Sequence, residues 1–240
     1  MELSIIIPCY NSSGALAKNL PYLMHFLQDA KLDAEVIVVN DGSTEKADLA
    51  AIVKENNARF VTYSKNEGKG FAIKEGFKVS SGKIIIYTDA DIPFEGKAIH
   101  TIINYLTLKE FDLAIGDRSL DTSNYFSEVS NKRRFGSRIF TFIVGRFITT
   151  GITDTQCGLK GFKKEVANDL FNVSRLKGFT FDVELIYISL KRNYDIKKIP
   201  VSLRSQDGNS VSVLKHGFSM GFDLIKIKIN HVKGLYKKHE

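Results

Sequence analysis

Along the first half of the chain, short β-branched runs alternate with helix-length stretches whose apolar positions recur every three or four residues. This pattern predicts strands at residues 3–8, 35–40, 59–64, 83–88 and 112–116, and helices at 15–28, 46–56, 70–79 and 96–108. Runs such as Val36-Ile37-Val38-Val39 and Ile84-Ile85-Ile86-Tyr87 are continuous rather than alternating. Strands covered by helices on both faces read that way. Repeated strand–helix units imply right-handed crossovers and an α/β fold with a doubly wound, mostly parallel sheet. Ligands bind such sheets beyond the carboxyl ends of the strands. That rule singles out Pro8-Cys9-Tyr10-Asn11, Asn40-Asp41-Gly42-Ser43, Asn66-Glu67-Gly68-Lys69-Gly70, Asp89-Ala90-Asp91 and Gly116-Asp117-Arg118, all expected on one rim.

The pattern changes after about residue 117. Residues 119–130 are Ser-, Asp- and Asn-rich, a loop composition. A basic stretch follows, with Lys132, Arg133, Arg134, Arg138 and Arg146, and no acid occurs before Asp154. Asp154-Thr155-Gln156-Cys157-Gly158 reads as a turn, residues 181–191 as a helix, 196–204 as a strand and 205–210 as a glycine-containing loop. From Val213 an amphipathic helix carries Leu214, Phe218, Phe222, Ile225 and Ile229 at three- and four-residue spacing. Without repeats or a linker, residues 1–212 are expected to form one domain, with 213–240 a C-terminal helical segment of it. The longest apolar stretch, 139–152, is interrupted by Arg146 and is shorter than the ~20 residues that span a bilayer. The N-terminus has no basic region or small-residue cleavage site, so neither a signal peptide nor a membrane span is expected.

A composition of 43% hydrophobic and 25% charged residues excludes collagen-like and mostly disordered classes. The net charge of +7 suits an anionic partner: nucleic acid, a phosphorylated substrate or an acidic membrane. No helix-turn-helix, RNP, KH or zinc-finger pattern accompanies the basic residues, which argues against nucleic acid. The two cysteines, Cys9 and Cys157, are too few for a disulfide framework and read as reduced thiols of a cytoplasmic protein. His25, His100, His216, His231 and His239 lack ligand spacing.

Two phosphate-binding signatures fail at the Gly68-Lys69-Gly70 loop. A Walker loop would need Gly at 63 and Ser or Thr at 70, and a dinucleotide fingerprint would need Gly or Ala at 73, where Ile73 stands. Lys69 and free amides at a helix start would still favour an anion. Asp89 and Asp91, one residue apart after a buried strand, could hold Mg²⁺ or Mn²⁺ together with a substrate diphosphate, or form a polar turn. Asp41 could accept from a base or ribose, or close an Asx turn with Ser43 or Thr44 capping the next helix. Tyr10 could stack on a base. Arg118, Arg133, Arg134 and Arg138 could clamp a phosphorylated acceptor or form a solvated basic face.

In their order, Pro8-x-Tyr10-Asn11, Asn40-Asp41-Gly42-Ser43, Asn66-x-Gly68-Lys69-Gly70, Asp89-Ala90-Asp91 and Gly116-x-Arg118 resemble the family-2, GT-A-fold inverting glycosyltransferases. Asp154-Thr155-Gln156-Cys157-Gly158-Leu159-Lys160, Phe181-Asp182-Val183-Glu184-Leu185 and Arg204…Gly208-x-Ser210 look like the polyprenyl-phosphate hexosyltransferases. The Asp-Thr-Gln-Cys-Gly stretch is closer to the dolichyl-phosphate glucosyltransferases than to the mannosyl enzymes. The resemblance implies transfer of a hexose from a UDP-glucose- or GDP-mannose-type donor to a polyprenyl or dolichyl phosphate, with inversion and with Mg²⁺ or Mn²⁺. It implies nucleotide contacts from Pro8, Tyr10, Asn11, Asp41, Lys69, Asp89 and Ala90. Asp91 would be the main metal ligand beside Asp89. Arg118, Arg134 and Ser137 would hold the acceptor phosphate and Arg204 the donor diphosphate, so that catalysis rests on Asp91, Lys69 and Arg204. The chain departs from the family pattern at Ser12, Pro93 and Val211, where Glu, Gln and Lys are usual. Processive synthases carry a Gln-x-x-Arg-Trp motif, and this chain has no tryptophan.

A lipid monophosphate is already anionic at pH 7 and attacks without a general base. A sugar hydroxyl would need a carboxylate base, for which Asp154 and Asp182 are the candidates. The C-terminal helix, with Lys215, Lys226, Lys228, Lys233, Lys237 and Lys238, either lies on an acidic membrane at the inner face or packs on the sheet with a solvated basic edge. Transfer to a saccharide acceptor and a non-catalytic nucleotide-sugar-binding subunit stand as alternatives.

Overall fold

In the computed structural model, which describes residues 1–124, 144–204 and 213–237, the β-branched runs form β1 (Leu3–Cys9), β2 (Ala34–Asp41), β3 (Arg59–Tyr63), β4 (Ile84–Tyr87) and β5 (Leu113–Asp117). They are joined by α1 (Ser13–Asp29), α2 (Leu49–Glu55), α3 (Lys69–Lys78) and α4 (Lys97–Thr107). The second half adds a π-helical turn at Val144–Ile148, β6 (Lys160–Lys163), α5 (Lys164–Val173), α6 (Phe181–Lys191), β7 (Ile196–Pro200) and α7 (Val213–Val232). A 7-stranded sheet results, in the order β3-β2-β1-β4-β6-β5-β7. All neighbours pair parallel except β6, which runs antiparallel to both β4 and β5.

Alternate residues of each strand enter opposite cores, which explains the continuous apolar runs. Ile6, Ile37, Val39, Ile85, Tyr87, Leu113 and Ile115 meet α3, α5, α6 and α7 on one face. Ile5, Ile7, Val36, Val38, Ile84, Ile86 and Ala114 meet α1, α2 and α4 on the other. Glu35 ties the sheet together near the opposite end from the rim. Its buried carboxylate accepts from Ser4 Oγ at 2.7 Å, from Ser81 N and Oγ at 2.7 Å each, and from Arg59 at 2.5 Å. Burial alone would raise its pKa, but these donors hold it at about 2.

The structure adds to the sequence reading at two places and corrects it at one, the cap of α2. β6 and α5 are absent from the periodicity reading because Lys160-Gly161-Phe162-Lys163 has no β-branched residue; pairing on both sides makes it a strand. α2 begins at Leu49 and is capped by Asp48, whose carboxylate accepts from Ala51 N at 3.0 Å, not by Ser43 or Thr44. On α7, the face that packs carries Met220, Leu224 and Ile227, while Phe222 (67%), Ile225 (57%), Ile229 (45%) and Val232 (85%) are exposed. The helix therefore has two apolar faces, and among the described residues only one meets the rest of the protein.

Candidate functional site

β1 to β5 all end at one rim, as parallel strands must. Because β6 is antiparallel, it enters the sheet from that same rim, with Lys160 opposite Tyr87. Residues 154–158 therefore arrive beside the ends of β4 and β5, a placement no parallel strand would give. Pro8 lies in β1, Ala90 is buried, and Tyr10 presents an exposed ring.

Asn11 and Asp41 serve as loop organisers. Asn11, at φ +49°, accepts through Oδ1 from the amides of Thr44 (2.8 Å) and Glu45 (3.2 Å). Asp41 is buried, and its carboxylate accepts from Tyr63 Oη (2.8 Å), Asn66 Nδ2 (3.1 Å), Glu67 N (2.8 Å) and Gly68 N (2.9 Å). The helix start at Lys69 is likewise occupied: Gly70 N and Phe71 N donate to the Lys177 carbonyl at 2.7 and 3.2 Å. These amides are not free for an anion, which corrects the sequence expectation. Gly68 makes the approach possible, at φ +102° and with a Cβ that would fall 2.7 Å from Lys177 O.

Lys69 is the centre of a charge chain. Its ammonium lies 2.9 Å from Asp89 Oδ1 and 3.2 Å from Asp182 Oδ2. Asp182, in the first turn of α6, also accepts through Oδ1 from Lys160 Nζ at 2.7 Å and Tyr87 Oη at 2.6 Å. Lys160 is fully buried and donates a second bond to the Cys157 carbonyl at 2.7 Å. Burial would lower the pKa of Lys69, but Asp182 and Asp89 outweigh it and keep the ammonium charged. Burial would raise that of Asp182, but Lys160 and Lys69 hold it at about 2.

Asp91 is pushed the other way, up to about 6, by burial and by the charge of Asp89, with Lys69 and Arg204 pulling back. The residue after it, Ile92, has φ +42°, a strained conformation for a β-branched side chain. Gly158 presses against the pair: a Cβ there would sit 1.8 Å from Asp89 Oδ2. Two crowded carboxylates, of which Asp89 meets Lys69 and Asp91 is held above the usual carboxylate range, are a fitting cradle for a hard cation. Among the described residues no group of three or more His, Cys, Asp or Glu converges. Asp89 and Asp91 are thus the protein ligands on offer, the share Mg²⁺ takes when substrate phosphates complete its shell.

Arg204 stacks with its guanidinium carbon 4.1 Å from the centre of the Tyr22 ring and donates to Asn19 and to the Ile92 carbonyl. Among the described residues its buried Nε has no hydrogen-bond partner. Arg118 forms a two-point pair with Asp154, Nε to Oδ2 at 2.9 Å and Nη2 to Oδ1 at 2.6 Å. Arg134 and Ser137 lie outside the described residues. Both cysteines are buried and unpaired, and burial pushes both thiols up to about 12.

The structure thus places Lys69, Asp89, Asp91 and Arg204 near one another and adds Lys160, Tyr87 and Gly158, which the sequence reading did not connect to them. A lysine in the apolar setting Leu159-Lys160-Gly161-Phe162 was the available signal, since buried lysines need a partner.

The sequence pattern of glycosyl transferase family 2 matches residues 4–171. The dolichyl-phosphate beta-glucosyltransferase of Dictyostelium discoideum is 31% identical over 98% of this chain and 76% of its own length. The human protein of the same name is 28% identical over 98% and 78%. Among solved structures, glucosyl-3-phosphoglycerate synthase from Mycobacterium tuberculosis, in complex with Mn²⁺, UDP and glucosyl-3-phosphoglycerate, superposes with a TM-score of 0.70. It is 17% identical, over 95% of this chain and 79% of that one. Mannosyl-3-phosphoglycerate synthase from Rubrobacter xylanophilus gives 0.72 at 14% identity, over 100% of this chain and 76% of that one. At these identities the structures show a shared GT-A fold.

Proposed function

Because the chain belongs to glycosyl transferase family 2 and is a glycosyltransferase, we propose that it transfers glucose from UDP-glucose to a polyprenyl or dolichyl phosphate. The names of the relatives support the lipid acceptor and the β product. One observation carries the choice of acceptor. Both carboxylates that could serve as a general base are committed to cations, Asp154 to Arg118 and Asp182 to Lys69 and Lys160. Among the described residues neither of these two carboxylates is left for a saccharide hydroxyl, whereas a phosphate monoester arrives already ionised.

In this reading a phosphate oxygen attacks the anomeric carbon as the bond to the UDP oxygen breaks, with inversion. Lys69 and Arg204 stabilise the departing diphosphate, a preorganised electrostatic effect. Asp89 and Asp91 would hold Mg²⁺ or Mn²⁺, which when bound would supply charge neutralisation for the leaving group. Pro8, Tyr10, Asn11 and Ala90 line the nucleotide, and Asp41 shapes its loop. Arg118, keeping Asp154 as its partner, receives the acceptor phosphate together with Arg134 and Ser137.

The exposed stripe Phe222, Ile225, Ile229 and Val232 on α7, flanked by Lys226, Lys228 and Lys233, lies on an acidic membrane and brings the enzyme to its lipid. Among the described residues no helix is long and apolar enough to cross a membrane, so contact of this kind would be peripheral.

The test is transfer of labelled glucose from UDP-glucose, and of mannose from GDP-mannose, to a polyprenyl phosphate with Mg²⁺ or Mn²⁺, with Asp91→Ala beside it. Lipid-linked glucose, lost in the variant, is expected. Product on a glycan but not on lipid would move the acceptor to a saccharide, and silence with every donor would favour a binding subunit.

A further inference from the structure

Lys160, Asp182, Lys69 and Asp89 form a line of alternating charge that runs from the core to the rim. Side-chain exposure rises along it: 0% at Lys160, 2% at Asp182, 9% at Lys69 and 41% at Asp89. Only the last member is open to solvent. Burying three charges is expensive, and well-packed apolar residues would serve stability as well or better. The arrangement does something apolar residues could not. Asp182 is fixed from behind by Lys160 and Tyr87, so its second oxygen, Oδ2, presents a stationary anion to Lys69. The α6 helix start adds rigidity, because Phe181 packs against Gly70, whose Cβ would meet the ring 2.6 Å away. Lys69 is therefore held on two sides, by an immovable partner within and by a half-exposed one at the rim.

We propose that Asp182 is a positioning residue that anchors the Lys69 ammonium at the rim while its outer partner changes from Asp89 to the diphosphate of the donor. Without the inner anchor, a lysine released by Asp89 would swing on its flexible stem and stabilise the leaving group poorly. Lys160 and Tyr87 act one step further back, by keeping Asp182 from turning. The inference rests on the reading that Lys69 meets a nucleoside diphosphate, and its test separates the two.

The experiment is calorimetric binding of UDP and of GDP, each with Mg²⁺ and with a chelator, to the wild-type chain, Lys69→Met, Asp182→Asn, Tyr87→Phe and the Lys69→Met/Asp182→Asn double variant. UMP serves as the single-phosphate control, and thermal unfolding is recorded for each protein. Lys69→Met is expected to weaken diphosphate binding about tenfold and UMP binding hardly at all. Asp182→Asn should do the same, and Tyr87→Phe should give a smaller loss in the same direction. The double variant should bind no worse than Lys69→Met alone, because an effect exerted through Lys69 vanishes with it. A further loss in the double variant, or an Asp182→Asn protein that binds UDP like wild type, overturns the proposal. If Asp182→Asn does not fold, Tyr87→Phe in the two Lys69 backgrounds decides by the same non-additivity. A Lys69→Met protein that keeps full diphosphate affinity would instead sink the underlying reading of Lys69. Transfer to lipid phosphate enters none of these outcomes, so the positioning role stands or falls separately from the acceptor.

Discussion

The contact between Gly158 and Asp89 offers a way to move one carboxylate of the candidate site without removing it. Gly158 has no positive φ, so its backbone accepts alanine. The added Cβ would lie 1.8 Å from Asp89 Oδ2 and 2.5 Å from its Cγ. Heavy atoms rest about 3.5–4.0 Å apart, so the carboxylate oxygen must retreat by roughly 1.7–2.2 Å. It can do so cheaply, because the Asp89 side chain is 41% exposed and rotates toward solvent. Gly158 itself is buried, so fold stability should fall by about 1 kcal/mol, the centre of the range for single substitutions. Activity should suffer far more. A misplacement of about 1 Å can cost ~10²-fold in rate, or about 2.7 kcal/mol of barrier. Initial rates of lipid-glucose formation by Gly158→Ala, Asp89→Ala and the double variant, beside thermal unfolding midpoints, make the check. The expected result is a Gly158→Ala rate near that of Asp89→Ala, an unfolding midpoint near wild type, and a double variant no slower than Asp89→Ala. If Gly158→Ala works within about threefold of wild type while Asp89→Ala is dead, the placement of Asp89 against this strand is irrelevant and the reasoning fails.

The other predictions concern the loop, the pH response and the helix. Gly68→Ala forces a residue at φ +102° into a glycine-only region and against Lys177 O, costing about 2–4 kcal/mol in urea unfolding. Asp91 carries a pKa raised to about 6 by burial and Asp89, so Mn²⁺ affinity should climb as pH rises through about 6 and flatten above it, and Asp91→Asn should remove both slope and affinity. Glu35 is held at about 2 in the fold against an ordinary 4.5. Its contribution is complete above pH 4.5 and lost as pH falls through about 2, so Glu35→Gln should flatten the acid-unfolding curve over that window. On α7, Phe222→Ser with Ile225→Ser should reduce sedimentation with phosphatidylserine vesicles at unchanged melting temperature. Ile227→Ala, whose side chain is fully buried, should instead cost about 2–4 kcal/mol of stability.

Local pattern alone determined the strand–helix alternation, the α/β class and the rim on which Tyr10, Asp41, Lys69, Asp89 and Arg118 gather. Burial on both faces writes itself into a strand as a continuous apolar run, and ligand loops must follow strand ends in a doubly wound sheet. The motif order also carried the family. Tertiary structure decided the rest, because the decisive pairings join residues distant in sequence. Lys69 and Asp182 are separated by 113 positions and Tyr87 and Asp182 by 95, so no spacing rule links them. The antiparallel entry of β6 could not be read from Lys-Gly-Phe-Lys, since strand character there comes from pairing with β4 and β5 on both sides. Nor could periodicity tell which apolar face of α7 packs: two stripes share one helix, and the sheet chose Leu224 and Ile227 because they meet the core around Tyr187 and Tyr236. The same holds for Asp41 and the α3 amides. Their chemistry suits a ligand, but the fold places partners within reach first, since a buried carboxylate or amide left unpaired costs more than the loop's freedom.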